Sequence, residues 1–192
     1  LCLASGGGQQ GPILAATGAD VTVFDNSTKQ LEKDNYVALR DNLKIKTVQG
    51  NMQDLSAFKD ETFDCIIHPW SNGYIDNVLP VWKECARVLK KNGLLLSGFG
   101  NPIEYIFDSG KIDQGILEVK YSIPYADIDH LDDPEIKQIV ESGGYIWSHT
   151  LEDQIQGQIA AGFAIIGFYE DIGGTVLDNY INSSIATKAI KL

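Results

Sequence analysis

Three consecutive glycines follow the first apolar run of the chain, in the stretch LCLASGGGQQG at residues 1–11. Gly6, Gly8 and Gly11 have the spacing G-x-G-x-x-G, and Asp25 ends the next apolar run, 17 residues beyond Gly8. Glycines allow a sharp turn and let a ligand approach backbone N–H groups, while an acidic side chain at that distance can accept hydrogen bonds from both hydroxyls of a ribose. The pattern predicts a site for a nucleoside-containing cofactor. The alternative is a glycine-rich turn beside a solvated aspartate.

Apolar runs alternate with helical patterns through the first half of the chain. The strands and helices that this alternation predicts must position the glycine loop and Asp25. Ser27 and Gln30 form an S-x-x-Q capping box that opens one helix, with Leu31, Ala38 and Leu39 on one face. The alternation predicts parallel strands with helices on both faces of the sheet. The predicted strands cover 1–4, 21–24, 45–48, 63–67 and 94–97, and the flanking helices cover 10–17 and 77–89.

The second half of the chain is less regular, with mixed glycine, proline and aromatic residues over 100–133. Thr150 can cap a helix in which Leu151, Ile155 and Ile159 lie four residues apart, with Gly162 as its stop. The further predicted elements are a helix over 134–141 and strands over 116–123, 145–148, 163–169 and 184–190. No repeat or linker divides the chain, so residues 1–192 are predicted to form one domain. Because Leu1 is not a methionine and already belongs to a strand-like run, we expect a missing N-terminal segment before it.

Composition restricts the classes of partner. The net charge of −11 disfavours nucleic acid and anionic membranes, since a strongly acidic surface repels phosphate groups. No apolar run approaches the roughly 20 residues that span a bilayer. Cys2, Cys65 and Cys85 are an odd number of distant cysteines in apolar stretches, which predicts buried free thiols in a reducing, cytoplasmic compartment. Cysteine and histidine spacing indicates no metal site.

Several segments in order resemble the class I S-adenosylmethionine-dependent methyltransferases. They are LCLASGGGQQG, VTVFD, VQGNMQDLSAF, FDCIIHPWS and VWKECARVLKKNGLLLSGFGNP, and the final third is similar to the end of the same domain. The likeness is greatest to the small-molecule branch that includes the ubiquinone and menaquinone biosynthesis methyltransferases. It implies a single Rossmann-like α/β domain with a mostly parallel seven-stranded sheet, helices on both faces and an antiparallel last hairpin.

The resemblance also implies a set of site residues for S-adenosyl-L-methionine. Backbone at Ser5, Gly6 and Gly8 would line the methionine portion of the cofactor. The other implied contacts are Asp25 at the ribose hydroxyls, Asn26 beside the adenosine, Asn51 and Met52 at the adenine, and His68 beside the sulfonium and the substrate. The expected acceptor is a small molecule, methylated by in-line displacement.

Methyl transfer from a sulfonium needs few dedicated side chains, because positioning and water exclusion do most of the work. His68 is the best-placed candidate for a general base, since an ordinary imidazole pKa of about 6.5 suits proton removal near neutral pH. Trp70, Tyr74 and Tyr105 are candidates for an apolar wall of the substrate pocket. Each of these four residues has packing as its alternative role.

The sequence departs from the family pattern in two respects, and two functions other than methyl transfer fit the same motifs. Cys2 stands where the family has an acidic residue that helps hold the amino group of the cofactor, and the family's N-terminal lid segment is not in this sequence. A nicotinamide-dependent oxidoreductase would also use the glycine fingerprint. A non-catalytic cofactor-binding module of the same fold is the third possibility, because fold alone does not establish activity.

Overall fold

A seven-stranded sheet forms the centre of the computed structural model, which describes all residues 1–192. The strand order is β3-β2-β1-β4-β5-β7-β6, in which β1 to β5 pair in parallel and β7 lies antiparallel between β5 and β6. The strands are β1 Cys2–Leu3, β2 Val21–Asp25, β3 Ile45–Gln49, β4 Phe63–Pro69, β5 Leu89–Gly100, β6 Phe163–Asp171 and β7 Ser184–Lys191. The predicted α/β class and antiparallel last hairpin are confirmed.

The helices follow the predicted alternation in the first half. They are α1 Gln10–Ala16, α2 Thr28–Arg40, α3 Leu79–Val88, α4 Ser109–Ile112, α5 Pro134–Gly143 and α6 Gly157–Ala160. Short 3₁₀ turns lie at Asn72–Tyr74, Pro102–Ile106, Asp127–His130 and Val176–Asn179. None of these helices is both long and apolar enough to cross a membrane.

Apolar side chains pack in two separate clusters. The larger one joins Phe24 and Leu95 of the sheet to Trp82 of α3, which is fully buried. The smaller one joins Cys2 and Val23 of the sheet to Leu31 of α2. Burial of these side chains stabilises the sheet and fixes the carboxyl ends of β1, β2, β3 and β4 side by side.

Several sequence-based expectations were wrong. Leu39 is 85% exposed, and α2 instead buries Leu31, Asp34 and Ala38. The segments 116–123 and 145–148 form no strands and make only isolated bridges, between Phe107 and Val119 and between Ala126 and Trp147. Residues 101–148, which we call the inserted segment, therefore pack as turns and two short helices rather than as additional sheet.

The helix after Thr150 has the predicted cap but a different buried face. The Thr150 hydroxyl accepts a hydrogen bond from the backbone N–H of Asp153 at 3.0 Å. A π-helical turn over Glu152–Gln156 precedes α6, and Gln154 and Gln158 are buried while Leu151 and Ile159 are exposed. The wider turn changes the angular position of each side chain, so a 3.6-residue period predicts the wrong face.

The three cysteines are free thiols, as predicted. Cys2 and Cys85 are buried, whereas Cys65 is only half-buried.

Candidate functional site

The glycine loop between β1 and α1 has a left-handed backbone at three positions. Ala4 has φ 46°, Gly6 has φ 69° and Gly8 has φ 80°. Glycine adopts this conformation without penalty, whereas an L-residue such as Ala4 is strained there. A Cβ at Gly6 would meet no protein atom within 4 Å, so this part of the loop faces open space.

Helix α2 holds the loop from behind. The Gly7 N–H donates to Oε1 of Gln30 at 3.0 Å, and the Gly8 N–H donates to Oδ1 of Asp34 at 2.9 Å. A Cβ at Gly7 would lie 2.1 Å from the carbonyl oxygen of Gln30, and one at Gly11 would lie 2.7 Å from the Val23 side chain. Gly7 and Gly11 are thus required by close packing, while Gly6 leaves room for a ligand.

Asp25 lies at the carboxyl end of β2, beside this loop. The residue is 8% exposed, and its Oδ1 accepts a hydrogen bond from the Ser27 N–H at 2.8 Å. Its Oδ2 accepts none from the protein. This arrangement corrects the predicted capping box, since Ser27 caps the N–H of Gln30 but the Gln30 side chain binds Gly7 instead. A carboxylate with one oxygen fixed and one free is suited to binding a hydroxyl pair.

The ends of β2 and β3 place the other predicted contacts next to Asp25. Gly50 donates its N–H to the Asp25 carbonyl at 3.1 Å, which brings the turn after β3 against β2. Asn51 is exposed, and its Oδ1 accepts the N–H of Gln53 at 3.0 Å. Asn26 is also exposed, whereas Met52 is buried among the core residues of the larger cluster. Asn51 and Asn26 can reach a ligand, and Met52 can contribute only an apolar surface.

His68, at the end of β4, is completely buried. Its Nδ1 donates to the carbonyl oxygen of Leu3 at 3.0 Å, and its Nε2 lies 2.6 Å from the side-chain amide of Asn72. The ring packs edge-on against Trp82 at 5.9 Å between ring centroids. Desolvation lowers the pKa of His68 and favours the neutral ring. Both ring nitrogens are engaged, a geometry that favours a structural role over that of a base.

A chain of buried polar side chains continues from His68. Asn72 donates to Oε1 of Gln154 at 2.7 Å, Gln158 donates to the Gln154 carbonyl at 2.8 Å, and Thr187 donates to Oε1 of Gln158 at 3.0 Å. These contacts join β4, α6 with its π-helical turn, and β7. Because each member is hydrogen-bonded, the network fixes the turn after β4 without leaving buried polar groups unpaired.

Sequence reasoning assigned Gln30 to a helix cap rather than to the loop, and it missed Asp34, Gln154 and Gln158, which hold the loop and the β4 turn. The signal was present, because each pair consists of polar residues four apart in a helix. Such residues share a face, but solvated faces have the same pattern, so the spacing alone does not identify a buried partner.

The residues present suit a nucleoside cofactor such as S-adenosylmethionine. The loop is open at Gly6, Asp25 has a free carboxylate oxygen, and the buried Ser5 hydroxyl has no hydrogen-bond partner in the protein. Cys2 supplies no charge, since burial raises the pKa of its thiol and keeps it neutral at pH 7. The contact that the family's acidic residue would make therefore has no equivalent in Cys2.

The predicted aromatic wall is only partly assembled. Trp70 and Tyr105 line the smaller of two neighbouring cavities and Tyr105 also lines the larger one, whereas Tyr74 is more than half exposed and lines neither. Burial raises the pKa of Tyr105 to about 12.

Comparison with known proteins identifies the family. Residues 1–97 match the family model described as "Methyltransferase domain". The chain is 58% identical over 193 residues to the "Uncharacterized methyltransferase YbaJ" of Bacillus subtilis (strain 168), covering 100% of this chain and 76% of that protein.

Two solved structures share the fold. An S-adenosylmethionine-dependent methyltransferase from Mesorhizobium loti superimposes with a TM-score of 0.76 at 15% identity, over 99% of this chain and 89% of that one. A geranyl diphosphate C-methyltransferase from Streptomyces coelicolor A3(2) gives 0.69 at 14% identity, over 100% of this chain and 70% of that one. Together with the family model and the Bacillus relative, these findings show that the chain belongs to the class I S-adenosylmethionine-dependent methyltransferases.

Proposed function

We propose that this enzyme transfers a methyl group from S-adenosylmethionine to a small-molecule acceptor. The observation that carries the proposal is the pairing of an open glycine loop with the free oxygen of Asp25 at adjacent strand ends. When bound, the sulfonium cofactor supplies an activated methyl group. The protein then has to bind, orient and exclude water, which agrees with a site that has no catalytic triad.

We assign the cofactor contacts to the predicted residues according to their positions at the ends of β1, β2 and β3. Backbone at Ser5, Gly6 and Gly8 lines the methionine portion, and Asp25 accepts hydrogen bonds from the ribose. The adenine contacts are Asn26, Asn51 and the apolar surface of Met52.

His68 is assigned a positioning role in this proposal. Its hydrogen bond to Leu3 ties the turn after β4 to the start of the glycine loop, and Asn72 extends the tie to α6. A role as base would require a ring nitrogen free to face the acceptor. His68→Gln separates the roles, because a positioning residue is partly replaced by an amide, while a base would lose its titration from the pH profile of kcat.

Calorimetric titration with S-adenosylhomocysteine tests the cofactor assignment, with NADH as the competing nucleoside. We expect binding of S-adenosylhomocysteine alone. Asp25→Asn should weaken it by about tenfold or more, since a hydrogen bond to a charged acceptor contributes about 1.5–3 kcal/mol. Asp20→Asn, which removes an exposed charge before β2, is the matched control and should bind normally. Tight binding of NADH, or equal binding by both variants, would overturn the proposal.

A further inference from the structure

The inserted segment contains an apolar groove that the cofactor site does not use. Its cavity volume is about 290 Å³, and eight of its eleven lining residues are hydrophobic. Tyr105, Phe107, Ile136, Ile139 and Ile146 form most of its wall. This volume is close to the lower limit for small-molecule sites, so it suits a molecule of about one ring with a short chain.

The groove adjoins the carboxyl edge of the sheet. A smaller cavity of about 30 Å³ is lined by Asn72, Gly73 and Gly100 at the ends of β4 and β5, and Tyr105 lines both cavities. Asn72 is the residue that holds His68. A molecule in the groove therefore has one end at the ends of β4 and β5, next to β1, whose carboxyl end leads into the glycine loop.

Glu104 provides a carboxylate at the junction of the two cavities. It lines the groove, is partly buried and forms no salt bridge. A Cβ at Gly100 would lie 3.1 Å from Oε2 of Glu104 and 3.4 Å from the Trp70 ring, so these two groups converge there. A carboxylate beside an indole is a suitable environment for a cation.

The nearby cations are already neutralised. Lys120 pairs with Asp108 at 2.9 Å and with Asp133 at 2.8 Å, and Lys111 pairs with Glu118. No lysine or arginine lines either cavity. An anionic ligand would therefore enter a region of negative potential without a partner.

A second carboxylate in the groove increases the negative potential without offering a free acceptor. Asp127 accepts the Tyr125 hydroxyl at 2.7 Å and the Ile146 N–H at 2.8 Å. Both of its oxygens are engaged, so the recognition of a ligand charge falls to Glu104.

We propose that the groove binds the methyl acceptor, and that this acceptor is a small apolar amine, held in its protonated form by Glu104 and Trp70; its nitrogen becomes a nucleophile once the proton has passed to the Glu104 carboxylate. The inference rests on the proposed function. The apolar body lies between the aromatic and isoleucine side chains, and the nitrogen lies at the junction of the two cavities. Acceptors with a phosphate or carboxylate are excluded by charge.

Three probes of matched skeleton test the charge selection: 2-phenylethylamine, 2-phenylethanol and phenylacetate. Each is titrated by ligand-detected NMR into the wild-type chain at pH 8, with and without saturating S-adenosylhomocysteine. We expect the amine to bind about tenfold more tightly than the alcohol, and phenylacetate not to bind. Binding of phenylacetate as tight as that of the amine would overturn the inference.

Two variants locate the site. Glu104→Gln should reduce the affinity for the amine to that for the alcohol, and leave the alcohol unchanged. Asp129→Asn, which removes an exposed charge from the same segment, should change neither. Ile139→Trp fills the groove from a partly exposed position on α5 and should abolish binding of both probes. An unchanged amine preference in Glu104→Gln, or normal binding by Ile139→Trp, contradicts the assignment.

The two proposals fail separately. If S-adenosylhomocysteine does not bind, the proposed function is overturned, while the titrations on the free protein still decide the groove. If it binds and the amine shows no preference, only the inference about the acceptor is overturned.

Discussion

Removal of the Asp34 side chain is expected to loosen the glycine loop while the sheet stays folded. Asp34 is 1% exposed, and its Oδ1 accepts the Gly8 N–H at 2.9 Å. It contacts no strand through a hydrogen bond, so its loss acts on the loop. Asp34→Ala leaves the Gly8 N–H without its partner, whereas Asp34→Asn keeps an oxygen at the same place.

The size of the effect follows from the unpaired donor. A partly buried N–H that loses its acceptor costs about 1–3 kcal/mol. If this free energy disorders the glycine loop and the cofactor has to order the loop again on binding, the affinity for S-adenosylhomocysteine falls by about fivefold to 150-fold. Asp34→Asn should retain affinity within about threefold, because its hydrogen bond is preserved.

The pH dependence of stability distinguishes the two variants further. Burial raises the pKa of Asp34, and its Oδ2 has no hydrogen-bond partner in the protein. The folded state thus binds the proton more tightly than the unfolded state. Stability from this group is fully present below the unfolded pKa of about 3.9 and is lost as pH rises through the higher folded pKa. Asp34→Asn lacks this loss, so its stability relative to wild type should increase with pH across that window.

Calorimetry and urea unfolding at several pH values provide the measurements. Asp34→Ala with normal affinity would show that the loop does not depend on α2, and the reasoning would fail. A stability difference between Asp34→Asn and wild type that does not change with pH would refute the assigned shift.

Three further perturbations separate packing from binding. Gly7→Ala should lower stability by at least about 2 kcal/mol in urea unfolding, because its Cβ would lie 2.1 Å from the Gln30 carbonyl oxygen. Gly6→Ala should cost only about 1–2 kcal/mol of left-handed strain but weaken S-adenosylhomocysteine binding in calorimetry, since its Cβ enters the space assigned to the cofactor. His68→Ala should lower stability by at least about 2 kcal/mol, because two buried partners lose their hydrogen bonds, and an unchanged melting temperature would contradict the network.

The sequence predicted the parallel part of the sheet well because short apolar runs alternate with helical patterns there. The runs at 21–24 and 63–67 consist mainly of β-branched, aromatic and other apolar residues, and helical patterns separate them. This alternation allows few topologies other than a parallel sheet. Asp25 was placed correctly at a strand end for the same reason, since it directly follows such a run.

The inserted segment could not be predicted in the same way. Its residues 116–123 include Ile116, Val119 and Ile123, a pattern suited to a strand. All three side chains are exposed, and the segment connects α4 to the 3₁₀ turn at Asp127–His130 without forming a strand. The α6 region failed for a different reason. One π-helical turn rotates Gln154 and Gln158 inward, and a local pattern does not reveal where a helix widens.

Two adjacent glycines of the loop, Gly6 and Gly7, have different roles. Gly7 is required by the backbone of α2 behind the loop, and Gly6 leaves space in front of it. A loop that only left space for the ligand, without packing against α2, would be free to move. Cofactor binding would then have to order the loop at an entropic cost. The bonds to Gln30 and Asp34 order the loop before binding, so the affinity of the site depends on a helix that need not touch the cofactor. The site is therefore as much a property of the packing between α2 and the glycine loop as of the residues that face the ligand.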